Sequence, residues 1–261
     1  MALSLTNLVR KSSDKPPRIV IYGKGGIGKT TLASEFPNPI FIQTEDGAGS
    51  LEITTFANEP FTRFAEVEEA IELLYMQDHD FRTVVIDSLT KMEPLVWAEA
   101  CRRNNWSSIE DPGYGKGYIE ADAIWRHLFA GLAALRDNGM TIVSLGHEHV
   151  EPVPNPEGDD FLHYRMRLHK RAEAIAREEA DIVGFLTEVR SVAKDDPKAK
   201  NKPAKASGGG QRVLNLQPRP AFEAKNRYEM PPQILINPGQ GYAAIAPLIP
   251  GQNTTKAAAA A

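Results

Sequence analysis

Residues 23–30 read Gly23-Lys24-Gly25-Gly26-Ile27-Gly28-Lys29-Thr30, an uninterrupted phosphate-binding loop of the form G-x-x-x-x-G-K-[ST]. The loop follows the apolar run Arg18-Ile19-Val20-Ile21-Tyr22 and leads into Thr31-Leu32-Ala33, so strand, loop and helix come in the order the motif requires. The glycines let backbone N–H groups turn inward around phosphate oxygens, and the helix that begins near Lys29 points its positive dipole end at the same anion. Lys29 is expected to reach the β- and γ-phosphates, and Thr30 to offer its hydroxyl to Mg²⁺.

The rest of the chain fits a sheet that can hold such a loop. Pro39-Ile40-Phe41-Ile42-Gln43-Thr44, Arg82-Thr83-Val84-Val85-Ile86-Asp87 and Met140-Thr141-Ile142-Val143-Ser144-Leu145 read as strands, with helical segments predicted at 66–76, 91–104 and 119–137. The last of these carries Ile124, Leu128, Leu132 and Leu135 on one apolar stripe, and Asn138-Gly139 ends it. The alternation specifies an α/β fold with a mostly parallel sheet covered by helices. Residues 1–17 read as an N-terminal arm and 18–236 as the core. Within the core, 181–192 and 211–216 read as a C-terminal β-hairpin whose Lys/Asp/Gly-rich tip is 193–210. Residues 237–261, ending in five alanines, read as a tail.

Composition narrows the function classes. With 261 residues, 42% hydrophobic and 25% charged, the chain can bury the core of one large α/β domain. No apolar run approaches the roughly 18 residues of a membrane span, and the N-terminal stretch is too short for a secretory signal. The single cysteine, Cys101, excludes an intramolecular disulfide framework and fits a reducing cytoplasm. A net charge of −4 gives no global basic field, so any nucleic-acid contact has to come from local patches.

The strand that ends at Asp87 supplies the acid such a site needs to hold Mg²⁺. Ser88 follows it, where many ring ATPases place a water-activating glutamate. The candidate for that role is therefore Glu45, at the carboxyl end of the strand after the loop helix, with Asp46 as the alternative.

These residues carry a resemblance. The loop, Thr44-Glu45-Asp46-Gly47, Val85-Ile86-Asp87-Ser88-Leu89-Thr90 and Lys225-Asn226-Arg227-Tyr228 together resemble the RecA/RadA ATPase core over roughly residues 17–236. The nearest type is the shortened RecA-like ATPases of bacteriophages that act as single-strand annealing proteins. The resemblance implies a RecA-like P-loop fold that binds and hydrolyses MgATP at subunit interfaces. It implies self-association into a filament or ring, single-stranded DNA as partner, a phage or host single-strand-binding protein as a further one, and a bacterial cytoplasm. By position it makes His147 the γ-phosphate sensor, where recombinases often carry glutamine. It makes Lys225 and Arg227 basic residues presented to a neighbour's ATP.

The resemblance also implies two DNA-binding segments. The first, 104–118, offers Trp106, Tyr114 and Lys116; the second, 148–170, runs on to Arg171 and offers Tyr164, Arg165, Arg167, Lys170 and Arg171 for phosphate contact and stacking. Two other readings remain open. Lys24 also fits the deviant loop of ParA/MinD-like dimeric switches, although the Asp-rich switch of that family is missing. The chain also reads as a nucleotide-binding scaffold without a polynucleotide partner. The His147-Glu148-His149 pair has no third ligand at metal-site spacing, which argues against zinc.

Overall fold

The computed structural model describes residues 15–155, 158–189, 191–192, 206–207 and 210–250. The chain runs β1 (Arg18–Gly23), α1 (Lys29–Ser34), β2 (Pro39–Gln43), α2 (Phe64–Met76), β3 (Thr83–Asp87), α3 (Leu89–Asn104), α4 (Lys116–Asp137), β4 (Thr141–Val153) and β5 (Phe161–Met166). It continues through α5 (Lys170–Glu179), β6 (Ile182–Glu188), β7 (Ser191–Val192), β8 (Ala206–Ser207), β9 (Arg212–Asn215), β10 (Lys225–Asn226), β11 (Gln233–Ile236) and α6 (Gly241–Ile245), with a final 3-10 turn over Ala246–Leu248.

The sheet is ordered β11-β9-β6-β1-β4-β3-β2. Five consecutive strands of it, β6, β1, β4, β3 and β2, are all parallel. Strands buried on both faces have to be apolar at every position, and the period of two divides them between two cores. Val20, Tyr22, Ile40, Ile42, Val84 and Ile86 face α2, α3, α4 and α5. Ile19, Ile21, Phe41, Val85, Val143 and Leu145 face α1 and α6. The predicted α4 stripe, Ile124, Leu128, Leu132 and Leu135, is buried. This is the α/β architecture of a RecA-like P-loop core, with one strand, β4, between the loop strand and the aspartate strand. The C-terminal hairpin is present as β6 against β9.

Three differences from the sequence reading matter. Strand β4 runs eight residues past Leu145, because beyond His147 it leaves the parallel sheet and pairs antiparallel with β5. Helix α5 was not predicted: its buried face is only Ala172, Glu173, Ile175 and Ala176, too thin a stripe to read by periodicity. Residues 237–250, assigned to a tail, instead pack on α1. There the Glu35 carboxylate accepts the backbone N–H groups of Gly239, Gly241 and Tyr242 at 3.1, 2.5 and 3.1 Å. Residues 1–14 of the expected arm at 1–17, most of the hairpin tip (193–205 and 208–209) and the end at 251–261 lie outside the described residues.

One buried acid ties the helical layer together. Glu93 of α3 accepts the backbone N–H of His169 at 2.8 Å, just ahead of α5. Burial pushes its carboxyl from 4.5 up to about 7, against the opposing pull of that hydrogen bond. A raised acid binds its proton in the folded chain over a range where the unfolded chain has lost it, so stability falls as pH rises between those values. Glu93→Gln keeps an acceptor for His169 and is expected to remove this fall. Chemical denaturation of both chains between pH 4.5 and 7 checks it; parallel pH profiles would contradict the assignment.

Candidate active site

The register of β1 places the loop. Gly23 stands opposite His147 of β4 and Leu186 of β6, so the loop opens at the carboxyl edge of the sheet, where α/β proteins bind ligands. Gly28 turns the chain into α1 at φ 100°, ψ 30°, a left-handed conformation that disfavours any side chain. Lys29 follows and is 6% exposed. Its ammonium donates to the carbonyls of Gly23 and Lys24, each at 3.0 Å. Burial lowers its proton affinity; Asp87, Glu45 and Glu148 oppose the shift, and Arg167 adds to it.

The metal end of the site is built from oxygens. Thr30 Oγ1 donates to Asp87 Oδ2 at 2.8 Å. Burial raises the Asp87 carboxyl, and the Thr30 hydrogen bond pulls the other way. A methyl group on Gly47 would stand 3.9 Å from Asp87 Oδ2, from Thr30 Oγ1 and from Glu45 Cγ. Gly47 therefore leaves a small cradle among hard oxygen donors, and a Mg²⁺ ion bound through few protein ligands suits that set. Thr30 and Asp87 are the residues that would hold it, and it would neutralise charge on the phosphates. Among the described residues no cluster of three His, Cys, Asp or Glu suited to a metal occurs.

Glu45 is delivered by a local lock. Thr44 donates its N–H to Asp87 O at 2.8 Å, and its hydroxyl both donates to Ser88 O (2.9 Å) and accepts from Ser88 N (3.0 Å). This clamps the end of β2 to the end of β3 and sets Glu45 beside Asp87. His147 Nε2 meets the Glu45 oxygens at 2.9 and 3.1 Å. Burial raises the Glu45 carboxyl, yet the bonds to His147 and Ser88 outweigh it and leave the group below its ordinary value. The backbone N–H of His147 is itself held by Thr90 Oγ1 at 2.9 Å. Gly26, Gly28, Lys29, Thr30, Thr31, Glu45, Gly47, Asp87 and His147 enclose a cleft of about 260 Å³. Lys24 is exposed and Ile27 is part of the core beneath the loop. A wider groove of about 500 Å³ between α2 and α4, near Ile71 and Tyr75, lies away from all of this chemistry.

The structure does not gather the other predicted residues here. Lys225 and Arg227 flank the amino end of β6, where Lys225 pairs with Val183 and Asn226 with Ile182. Lys225 donates to the carbonyls of Arg177 and Glu178. Arg227 shares Asp181 with Arg18 and Arg136. Both are on the edge of the sheet opposite their own loop.

The second DNA segment is largely occupied by its own fold. Arg165 is clamped between Glu173 (2.5 Å) and Glu151 (2.8 Å), and Arg171 pairs with Asp122 at 2.5 Å. Tyr164 packs its ring against Phe185. All three are thus engaged within the fold, the arginines by acids that spacing along the chain does not show. Arg167 and Lys170 are exposed, as are Lys116 and Tyr114, the last fully so; Trp106 is half-buried.

Sequence reasoning missed Thr44, Gly47, Thr90 and Arg212. The guanidinium of Arg212, on β9, rests on the Cα of Gly28, so that a methyl there would meet its Cζ at 2.8 Å. Only the third dimension brings β9 to the loop.

A P-loop nucleotide site on a RecA-like sheet is the class these features define. The chain belongs to the AAA domain family, whose model matches residues 15–228, and is a P-loop ATPase at that general level. Among solved structures, the flagellar accessory protein FlaH of Methanocaldococcus jannaschii is similar at 12% identity over 85% of each chain, with a TM-score of 0.43. No curated protein matches. No helix among the described residues is long and apolar enough to cross a membrane.

Glu45→Gln is expected to keep MgATP binding while slowing hydrolysis by roughly 10² or more, the usual scale for losing a general base. Parallel measurement of nucleotide affinity and single-turnover hydrolysis separates the two. Unchanged turnover would move the role to Asp46.

Proposed function

We propose that the chain is an ATP-dependent single-stranded-DNA-binding recombination protein that pairs complementary strands and hydrolyses MgATP between subunits. The observation that carries this reading is the meeting of the two candidate DNA segments beside the nucleotide cleft. Tyr118, closing the first segment, stacks on His169 of the second with ring centroids 4.1 Å apart and planes 8° apart. Arg167 donates its backbone N–H to His147 O at 2.8 Å, so the second segment is bonded to the residue that holds Glu45.

The chemistry follows from competition. His147 Nε2 is committed to Glu45, and Lys29 to two loop carbonyls. A γ-phosphate offers both side chains another acceptor, which frees the Glu45 carboxylate to orient the attacking water. Binding of the triphosphate is then felt through His147 at Arg167 and the strand that carries it. The DNA surface consists of residues that have no acidic partner among the described residues: Lys116, Lys170 and Arg167 for phosphates, with Tyr114 for stacking on a base.

The place of Lys225 and Arg227 supports service to a neighbour. Gly23 pairs with Leu186, four residues along β6 from the partner of Asn226, a separation of about 13 Å at strand rise. They therefore face away from their own phosphates, as residues acting across an interface must. For Arg227 that action requires exchanging Asp181 for the neighbour's nucleotide.

Lys116→Ala with Lys170→Ala is expected to weaken binding of a fluorescent oligonucleotide and lower the log–log salt slope by about 1.4, at about 0.7 per lost contact on a single strand. Tyr114→Ala is expected to weaken binding with little change of slope, since stacking is only weakly ionic. A wild-type slope in the double variant would remove this surface from the DNA site. In a separate test, Lys225→Ala subunits doped into wild type are expected to depress assembly-dependent ATP turnover; turnover that simply follows the wild-type fraction would exclude the role in trans.

A further inference from the structure

We propose that Arg212 is a nucleotide-binding residue of its own subunit, contacting the α- and β-phosphates from the flank of the loop opposite Glu45, Asp87 and His147. The proposal rests on the phosphate-loop reading and extends it to a strand that the motif does not include.

The geometry is direct. Arg212 opens β9, which pairs antiparallel with β6, with Arg212 opposite Glu188. From there its side chain crosses to the loop, and its guanidinium covers the Cα of Gly28, with Nη2 3.4 Å and Cζ 2.8 Å from where a Cβ would stand. Gly28 itself lines the cleft. Every other arginine discussed here that is not exposed is held by a carboxylate; Arg212 has no ion pair among the described residues. A half-buried guanidinium held against a phosphate loop without an acid to neutralise it is matched to a polyanion, which it can meet with two parallel N–H groups.

The strand order fixes which phosphates it meets. Glu45, Asp87 and His147 come from β2, β3 and β4, all on one side of β1. The metal and the γ-phosphate belong at that end, beside Thr30 and Asp87. Arg212 comes from β9, beyond β6 on the other side of β1, so it faces the part of the polyphosphate farther from the bond that breaks. It therefore retains ATP and ADP alike and does not contribute to the hydrolytic step.

The test is nucleotide affinity of the full chain by fluorescence, with MgATP, MgADP and inorganic tripolyphosphate as separate ligands. Arg212→Ala is expected to weaken all three, roughly ten- to a hundredfold for a lost charged hydrogen bond. Arg212→Lys is expected to recover part of the loss. Arg212→Gln, which keeps a polar, hydrogen-bonding side chain without charge, is expected to behave like alanine, and it decides the matter should the alanine chain fail to fold. Loss confined to ATP with ADP untouched would place the residue at the γ-phosphate and overturn the proposal. Loss for the nucleotides with tripolyphosphate unaffected would make it a base or ribose contact and overturn it too, as would wild-type affinity throughout. Lys29→Ala, measured beside them, is expected to abolish binding. Wild-type binding by that variant would overturn the phosphate-loop reading itself.

Discussion

The register of β1 between β4 and β6 is the constraint on which the site depends. Parallel pairing brings Gly23, His147 and Leu186 level with one another, and the β2–β3 register brings Gln43 level with Asp87. One edge of the sheet thus receives the loop, Asp87, His147 and, two residues past Gln43, Glu45. A one-residue slip would turn every buried side chain to the opposite face. The two-sided apolar core forbids that slip, so the stability of the sheet and the precision of the site have the same cause.

Within that frame the electrostatics are arranged around a buried cation. Lys29 loses proton affinity to burial and regains part of it from Asp87, Glu45 and Glu148, while Asp87 is raised by burial and relieved by Thr30. Each charge is tolerable only because the others are present. A triphosphate with its metal brings both signs of charge to the same cleft, and it can replace these internal pairings without leaving any member uncompensated. The Thr44 lock matters here: with the backbone ends of β2 and β3 tied together, the carboxylates hold their places when their partners change.

How much of this was legible in the sequence depended on how local each cause was. The loop, Asp87 and Glu45 could be read because a contiguous motif or a strand end defines them, and the strands because two-sided burial leaves unbroken apolar runs. Helix α5 could not, since alanines do most of its packing. The extension of β4 could not, since His147–Val153 carries no apolar run and contains Pro152, and its partner β5 is met only in the fold. The basic segment misled in an instructive way: Arg165 and Arg171 look free along the chain, yet Glu173 and Asp122 meet them only after α4 and α5 pack. Arg212 shows the reverse error. Along the chain it opens a hairpin strand with no motif to connect it to the phosphate loop, whereas pairing with β6 carries it there.

Strand β4 gives the proposed coupling its physical form. It is one continuous strand from Thr141 to Val153, buried and parallel up to Gly146, then exposed and antiparallel with β5. His147 stands at the change. Its N–H is fixed by Thr90, its carbonyl by Arg167 and its ring by Glu45. A nucleotide can shift the outer hairpin only to the extent that it contacts His147 differently in two arrangements, and of the three bonds only the ring contact is open to exchange with a phosphate. By linkage the effect is reciprocal. Under the proposed function, DNA that drew Arg167 outward would strain its bond to the His147 carbonyl and through the same residue loosen the hold on Glu45, so that DNA binding and release of the Glu45 carboxylate would be two descriptions of one rearrangement.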